Sequence, residues 1–420
     1  MKNLMYKPLT QFANLLNGYA FKSKNYVNSG IRVIRIANVQ DGYISDEKPC
    51  FYPLDTVEDI SKYILRENDF LVSLTGNVGR VALLNDDFLP AALNQRVSCI
   101  RIKDENLLPK FLFYYFLRKQ FQKDCINASQ GVAQLNLSTK WLEQYPVPVL
   151  SIEEQKRVVA RIEELFSELD NGVETLKKTK QQLAVYRQAV LKEAFEGKFT
   201  IHTSCNVELP WAYKEDTQSL PDIPQEWQYI ALSNLGDLGR GKSKHRPRND
   251  PKLFEGGKYP FLQTGEVKAA KQYITEYSKM YGEFGLQQSK LWPKGTLCIT
   301  IAANIAETAF LGIDACFPDS VVGFTPYEHI LPEYVKHFIE SQKLRLWAFA
   351  PATAQKNINL DTLENLIVPY CSVEEQKAVI SEIEARMTIC DNIEKTVDIA
   401  LQQAEAMRQS ILKKAFEGGL

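Results

Sequence analysis

One segment occurs twice in this chain, 221 residues apart, and this repeat limits the possible folds more than any other feature. Ser151–Lys156 reads Ser-Ile-Glu-Glu-Gln-Lys, and Ser372–Lys377 reads Ser-Val-Glu-Glu-Gln-Lys. Leu191–Gly197 returns as Leu412–Gly418 with a single change, Glu193 to Lys414. Because the offset is the same at both ends, neither copy has gained or lost residues in between. A fixed length is typical of a helix used as a spacer.

Each copy is predicted to form one long helix. Ser151 and Glu154, like their counterparts in the second copy, fit a capping box, in which both side chains satisfy free backbone N–H groups. Gly197 and Gly418 fit the C-terminal stop of a helix. Between these signals, apolar residues recur every three and four positions, as in a heptad seam. The seam comprises Ile162, Phe166, Leu169, Val173, Leu176, Leu183 and Val190 in the first copy, and Ile383, Met387, Cys390, Val397, Leu401, Ala404 and Ile411 in the second.

Two such helices in one chain most simply pair with each other. We predict an antiparallel coiled coil, with pseudo-twofold symmetry from the duplication. The seam is imperfect, because Lys180, Arg187, Glu394 and Arg408 also lie on it. At roughly 1.5 Å per residue, a helix of about 45 residues would be about 65 Å long. The alternative, two unrelated amphipathic helices on separate cores, leaves the repeat unexplained.

The segments before the two helices are predicted to be mixed α/β globules. Short β-type runs, at 31–37, 70–75, 97–102 and 297–301, lie between turn residues. Helical stretches are predicted at 109–123 and 332–347. The predicted class is therefore mixed α/β (α+β), with two globular target-recognition domains and two long helices. The predicted boundaries are 1–150 for the first domain, 151–200 for the first helix, 201–371 for the second domain and 372–420 for the second helix.

Composition narrows the class of protein. The net charge is −1, but residues 1–150 carry 18 Lys and Arg against 14 Asp and Glu, so any grip on phosphate must be local. The eight cysteines include no Cys-x-x-Cys pair, and the four histidines lack ligand spacing. We therefore expect no metal and no cofactor. With no apolar run long enough for a membrane span, we expect a cytoplasmic protein.

The order and duplication of several short motifs point to one family. They are Glu153–Lys156 after Val147–Pro148, Glu374–Lys377 after Val368–Pro369, Ala194–Gly197, Ala415–Gly418, Thr75–Arg80, Asn94–Arg96 and Pro260–Val267. On these residues, the chain resembles the specificity subunits of type I restriction–modification enzymes over nearly its whole length. The resemblance implies a subunit that performs no catalysis. Each domain would read one half of an asymmetric, split site in double-stranded DNA. Two methyltransferase subunits would dock, and restriction subunits would join in the full complex.

The sharpest candidate for DNA contact is a basic stretch in the second domain. Gly239–Arg248 contains five Lys or Arg residues and no acidic residue. Lysine and arginine side chains contact phosphates, and arginine makes paired hydrogen bonds to guanine. A solvated basic loop is the plainer alternative. The candidates in this domain are Arg240, Lys242, Lys244, His245, Arg246, Arg248, Gln263 and Thr264.

Candidates in the first domain come from corresponding loops and from strands. They are Tyr19, Lys22, Lys24, Arg32, Arg35, Asn77, Arg80, Asn94, Gln95 and Arg96. Arg32 and Arg35 could equally face solvent, and Asn94 and Gln95 could equally cap a turn. The second domain departs from the family pattern, because it shows Asp319-Ser320-Val321 in place of Asn-Gln-Arg.

Partner docking is predicted near the ends of the two helices. The candidate residues are Glu153, Glu154, Gln155, Phe166, Phe195, Glu374, Glu375, Gln376, Met387 and Phe416. A rival hypothesis is a coiled-coil scaffold that binds proteins and has no DNA specificity.

Two catalytic motifs occur, and both are interpreted as coincidental. Gly236–Ser243 matches the phosphate-loop pattern G-x-x-x-x-G-K-S, but Pro247 and Pro251 prevent the helix that this motif needs. Glu266 and Lys268 match the Glu-x-Lys of metal-dependent nucleases. The corresponding segment of the first domain, Asn38–Gln40, has no carboxylate, although a duplicated active site should keep one.

The spacer hypothesis predicts the effect of shortening both helices. Removing one heptad from each helix, at facing positions, keeps the seam in register and should shorten the tolerated gap between the half-sites. Both half-sites should stay unchanged, because the reading domains are untouched. Mapping methylated sites in the assembled complex checks this. An unchanged gap would rule out the helices as the spacer.

Overall fold

The chain forms two compact units that share the two long helices. The computed structural model describes residues 5–55, 59–131, 134–199, 220–349 and 357–418. One unit comprises residues 1–177 and 397–420, and the other comprises residues 178–396. This division cuts each long helix near its middle, whereas the sequence-based boundaries gave each helix its own segment. The predicted boundary at 201 lies outside the described residues.

The first unit contains two sheets, a strand pair and three short helices before the first long helix. Its strands are β1 (Tyr6–Pro8), β2 (Ala13–Asn17), β3 (Ile31–Ile34), β4 (Phe51–Tyr52), β5 (Phe70–Ser73), β6 (Val81–Leu83), β7 (Ala91–Leu93), β8 (Val97–Ile102) and β9 (Pro146–Pro148). Its short helices are α1 (Pro109–Phe116), α2 (Lys119–Ala128) and α3 (Thr139–Glu143), and α4 (Ile152–Phe195) is the first long helix. The antiparallel sheet has the order β2-β8-β5-β6, the smaller sheet has the order β4-β3-β7, and β1 pairs with β9.

The second unit repeats this plan. Its strands are β10 (Gln228–Ala231), β11 (Gly236–Arg240), β12 (Tyr259–Phe261), β13 (Tyr273–Ile274), β14 (Lys279–Tyr281), β15 (Leu291–Trp292), β16 (Leu297–Thr300), β17 (Thr308–Leu311), β18 (Ala315–Cys316), β19 (Val321–Pro326) and β20 (Ile367–Tyr370). Its helices are α5 (Thr264–Ala269), α6 (Glu283–Gln287), α7 (Pro332–Ser341), α8 (Lys343–Phe349), α9 (Leu360–Glu364) and the long α10 (Val373–Glu417). The sheets have the orders β11-β19-β16-β17-β13 and β14-β12-β18-β15, and β10 pairs with β20.

The predicted mixed α/β class is confirmed, and most predicted elements are found. The strand predicted at 97–102 coincides with β8, and the runs at 31–37, 70–75 and 297–301 contain β3, β5 and β16. The predicted helical stretches are each divided in two, into α1 and α2 and into α7 and α8. Among the described residues, no helix combines the length and apolar character needed to cross a membrane.

Both long helices have the predicted ends. At the start of α4, the Ser151 hydroxyl lies 3.4 Å from the backbone nitrogen of Glu154, and the Glu154 carboxylate accepts from the Ser151 N–H at 3.0 Å. The backbone N–H of Glu375 likewise donates to the Ser372 hydroxyl at 3.3 Å. After the helices, Gly197 and Gly418 have φ of 72° and 85°, a left-handed conformation that costs glycine little.

The helices run antiparallel within each unit. In the second unit, Lys180 of α4 pairs with Glu394 at 3.4 Å, and Arg187, one heptad later, contacts Asp391 at 2.6 Å. The contact moves backward along α10 as it moves forward along α4. In the first unit, Arg408 of α10 pairs with Asp170 of α4. The charged residues that interrupt the apolar seam are therefore used in ion pairs across it.

The same ion pair occurs in both units. Arg187 and Arg408 are 221 residues apart, and so are their partners Asp170 and Asp391. Because these pairs are partly exposed, each contributes at most about 1 kcal/mol. Their main effect is to favour one register of the two helices over its neighbours.

A buried glutamine attaches the start of each long helix to the globular part of its unit. The Gln155 amide accepts from the Leu108 N–H at 2.9 Å and donates to the carbonyl oxygens of Asn106 and Leu150 at 2.7 and 3.0 Å. Gln376 makes the same three bonds in the second unit, to Leu331, His329 and Cys371. Each side chain thereby satisfies three backbone groups at the junction of sheet and helix.

An aromatic residue anchors the far end of each long helix. Phe416, near the end of α10, packs on Phe111 and Tyr115 of α1 with ring centroids 5.3 and 5.2 Å away. Phe195, near the end of α4, packs on two α7 residues in the same way, Tyr334 at 5.1 Å and Phe338 at 5.2 Å. Each unit therefore holds the start of one long helix and the end of the other.

Replacing Gln376 with alanine should destabilise the chain by about 2–4 kcal/mol, because three buried backbone groups lose their partner. Gln155→Ala should act alike in the first unit. Urea unfolding of the full chain measures the effect, with the exposed neighbours Lys377→Ala and Lys156→Ala as controls. Equal effects of Gln376→Ala and Lys377→Ala would contradict this role.

Candidate nucleic-acid interface

In both units, the loop after the first strand of the main sheet lies directly against the segment that precedes β8 or β19. A Cβ on Gly18 would lie 2.1 Å from the carbonyl oxygen of Asn94, and a Cβ on Gly241 would lie 2.3 Å from that of Phe317. Only glycine allows so close an approach. The predicted loops at 18–24 and 239–248 therefore occupy equivalent places, as the sequence comparison proposed.

Exposed cations line this loop in the second unit. Lys242 and Lys244 are exposed, and among the described residues neither side-chain nitrogen has a hydrogen bond or an ion pair. Arg240 and Arg248 are also exposed, but both contact Asp319: the Arg240 Nε donates to its carbonyl oxygen at 3.0 Å, and the Arg248 Nη2 contacts its carboxylate at 2.9 and 3.0 Å. The loop thus presents two unengaged ammonium groups beside two positioned guanidinium groups.

The remaining two candidates in this loop are held by the loop itself. Arg246 donates to the carbonyl oxygens of Ser243 and His245 at 2.6 and 2.9 Å. His245 is half-buried, and its Nε2 lies 2.8 Å from an oxygen of Asp250. This hydrogen bond lowers the pKa of Asp250 below its usual value. Both side chains therefore stabilise the shape of the loop.

A cleft of about 280 Å³ lies beside this loop and brings several candidates together. Its lining comprises Ser243, Arg248, Phe261, Gln263, Thr264, Gly265, Glu266, Pro318 and Ser320. The Gln263 side chain caps α5. Burial would raise the pKa of Glu266, but hydrogen bonds from the Ser278 hydroxyl, at 2.7 Å, and from the Gln263 N–H lower it. The cleft combines donors and acceptors on a scale that suits the edge of a base.

The first unit gathers its candidates through backbone hydrogen bonds. Gln95 N–H donates to the Tyr19 carbonyl at 3.0 Å, and Asn94 N–H donates to the Ile34 carbonyl at 3.1 Å. Tyr19 packs on Phe21 and Tyr63, so its ring is part of the framework. Exposed side chains around this crossing come from Lys22, Lys24, Asn77, Gln95 and Arg96, whereas Asn94 is half-buried.

Three candidate arginines of the first unit are engaged by their own neighbours. Arg32 pairs with Asp46 and lies over the rings of Phe51 and Phe88. Arg35 donates to the carbonyl oxygen of Lys48 at 2.8 Å. Arg80 donates to the Gln40 side chain at 2.8 Å. We leave these three out of the proposed contact set, because DNA would have to break the existing bonds.

Most of the residues predicted to dock partners are structural, and this part of the prediction needs correction. Gln155, Gln376, Glu375, Phe166, Phe195 and Phe416 are all buried. The glutamines and the two terminal phenylalanines hold the long helices, and Glu375 lies 3.2 Å from the indole nitrogen of Trp227. Glu153 and Glu374 are exposed, and Glu154 and Met387 are half-buried. Only these four keep surface for a partner.

The two catalytic motifs have structural roles. Gly236–Arg240 of the phosphate-loop pattern is strand β11, and no helix begins at Lys242 or Ser243 within the described residues 220–349. Glu266 of the nuclease-like pattern is used to cap α5. In the described part of the chain, no group of three or more His, Cys, Asp and Glu residues is placed to hold a metal ion.

Sequence reasoning placed one counterpart incorrectly and missed two exposed residues. Val97 begins β8 and Val321 begins β19, so the counterpart of Asn94–Arg96 is 318–320, Pro-Asp-Ser, rather than 319–321. The error arises because the offset of 221 in the helices becomes 224 here. The exposed Tyr186 and Met407 on the long helices were also overlooked. Their offset of 221 was the available signal.

Comparison with known proteins gives a consistent result. The type I restriction modification DNA specificity domain matches residues 1–184 and again 224–403. The EcoBI specificity subunit of Escherichia coli is 27% identical over 97% of this chain and 84% of its own length. The EcoKI specificity subunit of E. coli K12 is 23% identical over 98% and 88%.

Solved structures share the fold. A chain from a study of complex assembly and conformational transition in a type I R-M system superposes with a TM-score of 0.72, at 17% identity, covering 100% of this chain and 99% of the other. The HsdS subunit of Thermoanaerobacter tengcongensis gives a TM-score of 0.55, also at 17% identity, covering 100% and 98%.

Lys242→Ala should weaken DNA binding by a similar factor for all sequences, because an unengaged ammonium group is suited to phosphate. The slope of log K against log salt should fall by about one, and by about two when Lys244→Ala is added. Lys294→Ala, before the opposite end of β16, is the matched control and should leave the slope unchanged. Titrations at several salt concentrations measure it. An unchanged slope in the double variant would remove this loop from the interface.

Proposed function

Since the chain belongs to the type I restriction–modification DNA specificity family, we propose that it selects the DNA sequence for a complex with methyltransferase and restriction subunits. It acts on double-stranded DNA in the cytoplasm and makes or breaks no bond itself. Each unit reads one half of a split site. The family match over both repeats favours this function over a coiled-coil scaffold without DNA specificity.

One observation carries the proposal: the two units share a framework but differ at the residues that the framework exposes. The glycine crossing, the sheet order and the long-helix attachments are duplicated. At the crossing, however, the first unit carries Asn94–Arg96 and the second carries Pro-Asp-Ser at 318–320. A duplicated enzyme would keep its reactive groups, whereas a duplicated reader needs different groups to read different bases. The recognised site is therefore asymmetric.

The exposed set in each unit suits a division between positioning and reading. Ammonium groups such as Lys22, Lys24, Lys242 and Lys244 contact phosphates, which fix register without carrying sequence information. Amide and guanidinium groups read base edges in the major groove. Gln95 in the first unit and Arg240 in the second are exposed representatives of these groups.

The long helices offer two near-equivalent docking surfaces for methyltransferase subunits. Tyr186 of α4 and Met407 of α10 are 45% and 54% exposed, although both are large and apolar. Their separation of 221 residues makes them repeat counterparts. Exposed apolar side chains at matching positions are typical of interaction sites. We add them to Glu153 and Glu374 as docking residues and propose two methyltransferase subunits per chain.

Substitutions in one unit should affect one half-site only. Gln95→Ala should relax base preference in the half-site read by the first unit, and Arg240→Ala should do so in the other. Each loss should be about 1–3 kcal/mol for a paired base contact. Methylation-site mapping of the assembled complexes measures both halves at once, so each variant contains its own internal control. A variant that altered both halves equally would contradict two independent readers.

Substitutions on the helices should change stoichiometry. Tyr186→Asp or Met407→Asp should leave one methyltransferase subunit bound in place of two, because each places a charge within one apolar contact. The exposed repeat pair Gln181→Asp and Gln402→Asp is the matched control. Light scattering of the purified complex gives the mass. A wild-type complex with one methyltransferase subunit would overturn the proposal.

A further inference from the structure

Asp319 occupies the position in the second unit that Gln95 occupies in the first. Both residues lie two positions before the strand that begins at Val97 or Val321. Both segments are crossed by the glycine that follows the first strand of the main sheet. The exchange of an amide for a carboxylate at one framework position is therefore a difference in function between the units.

Asp319 organises two arginines that come from the basic loop. Its carboxylate receives the Arg248 Nη2 at 2.9 and 3.0 Å, and its carbonyl oxygen receives the Arg240 Nε at 3.0 Å. The Arg248 and Asp319 side chains are 49% and 44% exposed, so the pair lies at the surface. An exposed ion pair adds little to stability. Its effect is to restrict where the guanidinium groups point.

Arg248 keeps donors for a further partner. Asp319 uses Nη2, and no other hydrogen bond of Arg248 is seen among the described residues, so Nε and Nη1 remain available. The guanidinium lines the same cleft as Gln263 and Ser320. Guanine presents two acceptors, O6 and N7, at its major-groove edge, and they match the paired donors of a planar guanidinium.

We propose that Asp319 is a positioning residue that holds Arg248 for a paired contact with a guanine in the half-site of the second unit. This inference rests on the proposed function, since it assumes that the unit reads DNA. The first unit has Gln95 at the equivalent position, and a glutamine amide pairs with adenine. The two half-sites then differ because one framework position carries a different side chain.

A carboxylate could instead read DNA directly, by accepting from the cytosine amino group. The existing contact with Arg248 argues against this, because a cytosine amino group would compete for the same oxygens. The two arrangements differ in a measurable way. A positioning residue and the arginine that it holds govern the same base pair, whereas a direct contact from Asp319 governs a separate one.

The test is competition binding by the assembled complex, with DNA libraries that vary each base pair of the second half-site. The variants are Arg248→Ala, Asp319→Ala, the double variant and the conservative Asp319→Glu. Arg248→Ala should reduce the preference for one guanine by about 5- to 100-fold. Asp319→Ala should reduce the preference at that same base pair by about two- to fivefold, as expected for loss of an exposed ion pair.

The double variant should match Arg248→Ala alone, and Asp319→Glu should restore part of the preference. Additive losses, or a loss at a different base pair in Asp319→Ala, would overturn the positioning role. Unchanged reading of the first half-site shows that each variant is folded. If the wild-type complex selected no sequence, the proposed function itself would fail. If it selected a sequence and Arg248→Ala kept every preference, only this inference would fail.

Discussion

The attachment of the long helices to the globular cores is the constraint on which the rest of the structure depends. A buried amide at Gln155 or Gln376 fixes the first turn of a helix, and an aromatic ring at Phe195 or Phe416 fixes the last turn of the other. Neither end can slide without exposing unpaired backbone groups or emptying an aromatic core. Because both attachments are made inside each unit, the helix length between them cannot drift. The ion pairs of Arg187 and Arg408 then need only select the register.

The sequence predicted the helices well because their signals are local and repeated. The capping boxes, the glycine stops and the seam each depend on residues a few positions apart, and the structure confirms them. The charges on the seam were correctly noted as irregular, but their pairing was not foreseen. Asp170 and Asp391 lie outside the apolar pattern, and only the antiparallel arrangement brings them to the arginines.

The candidate site was predicted less well because its chemistry depends on contacts distant in sequence. Asp319 meets Arg248 across 71 positions, and Arg80 meets Gln40 across 40. No sequence pattern distinguishes an arginine held in this way from one that faces solvent, so Arg32, Arg35 and Arg80 stood beside Lys242. Gln155 and Gln376 carried the strongest motif of the chain and were assigned to partners. A motif can be duplicated because it builds the junction of sheet and helix.

The division of the units has a consequence for how such a gene can change. The second unit is one uninterrupted stretch, residues 178–396, and it includes its own halves of both long helices. Its internal contacts, from Lys180–Glu394 to Phe195–Tyr334, all lie between these limits. Two crossovers in the middles of the helix-coding segments would therefore transfer a complete reader together with everything that holds it. The offspring would inherit a new half-specificity in one step, without an intermediate whose core has to be repacked.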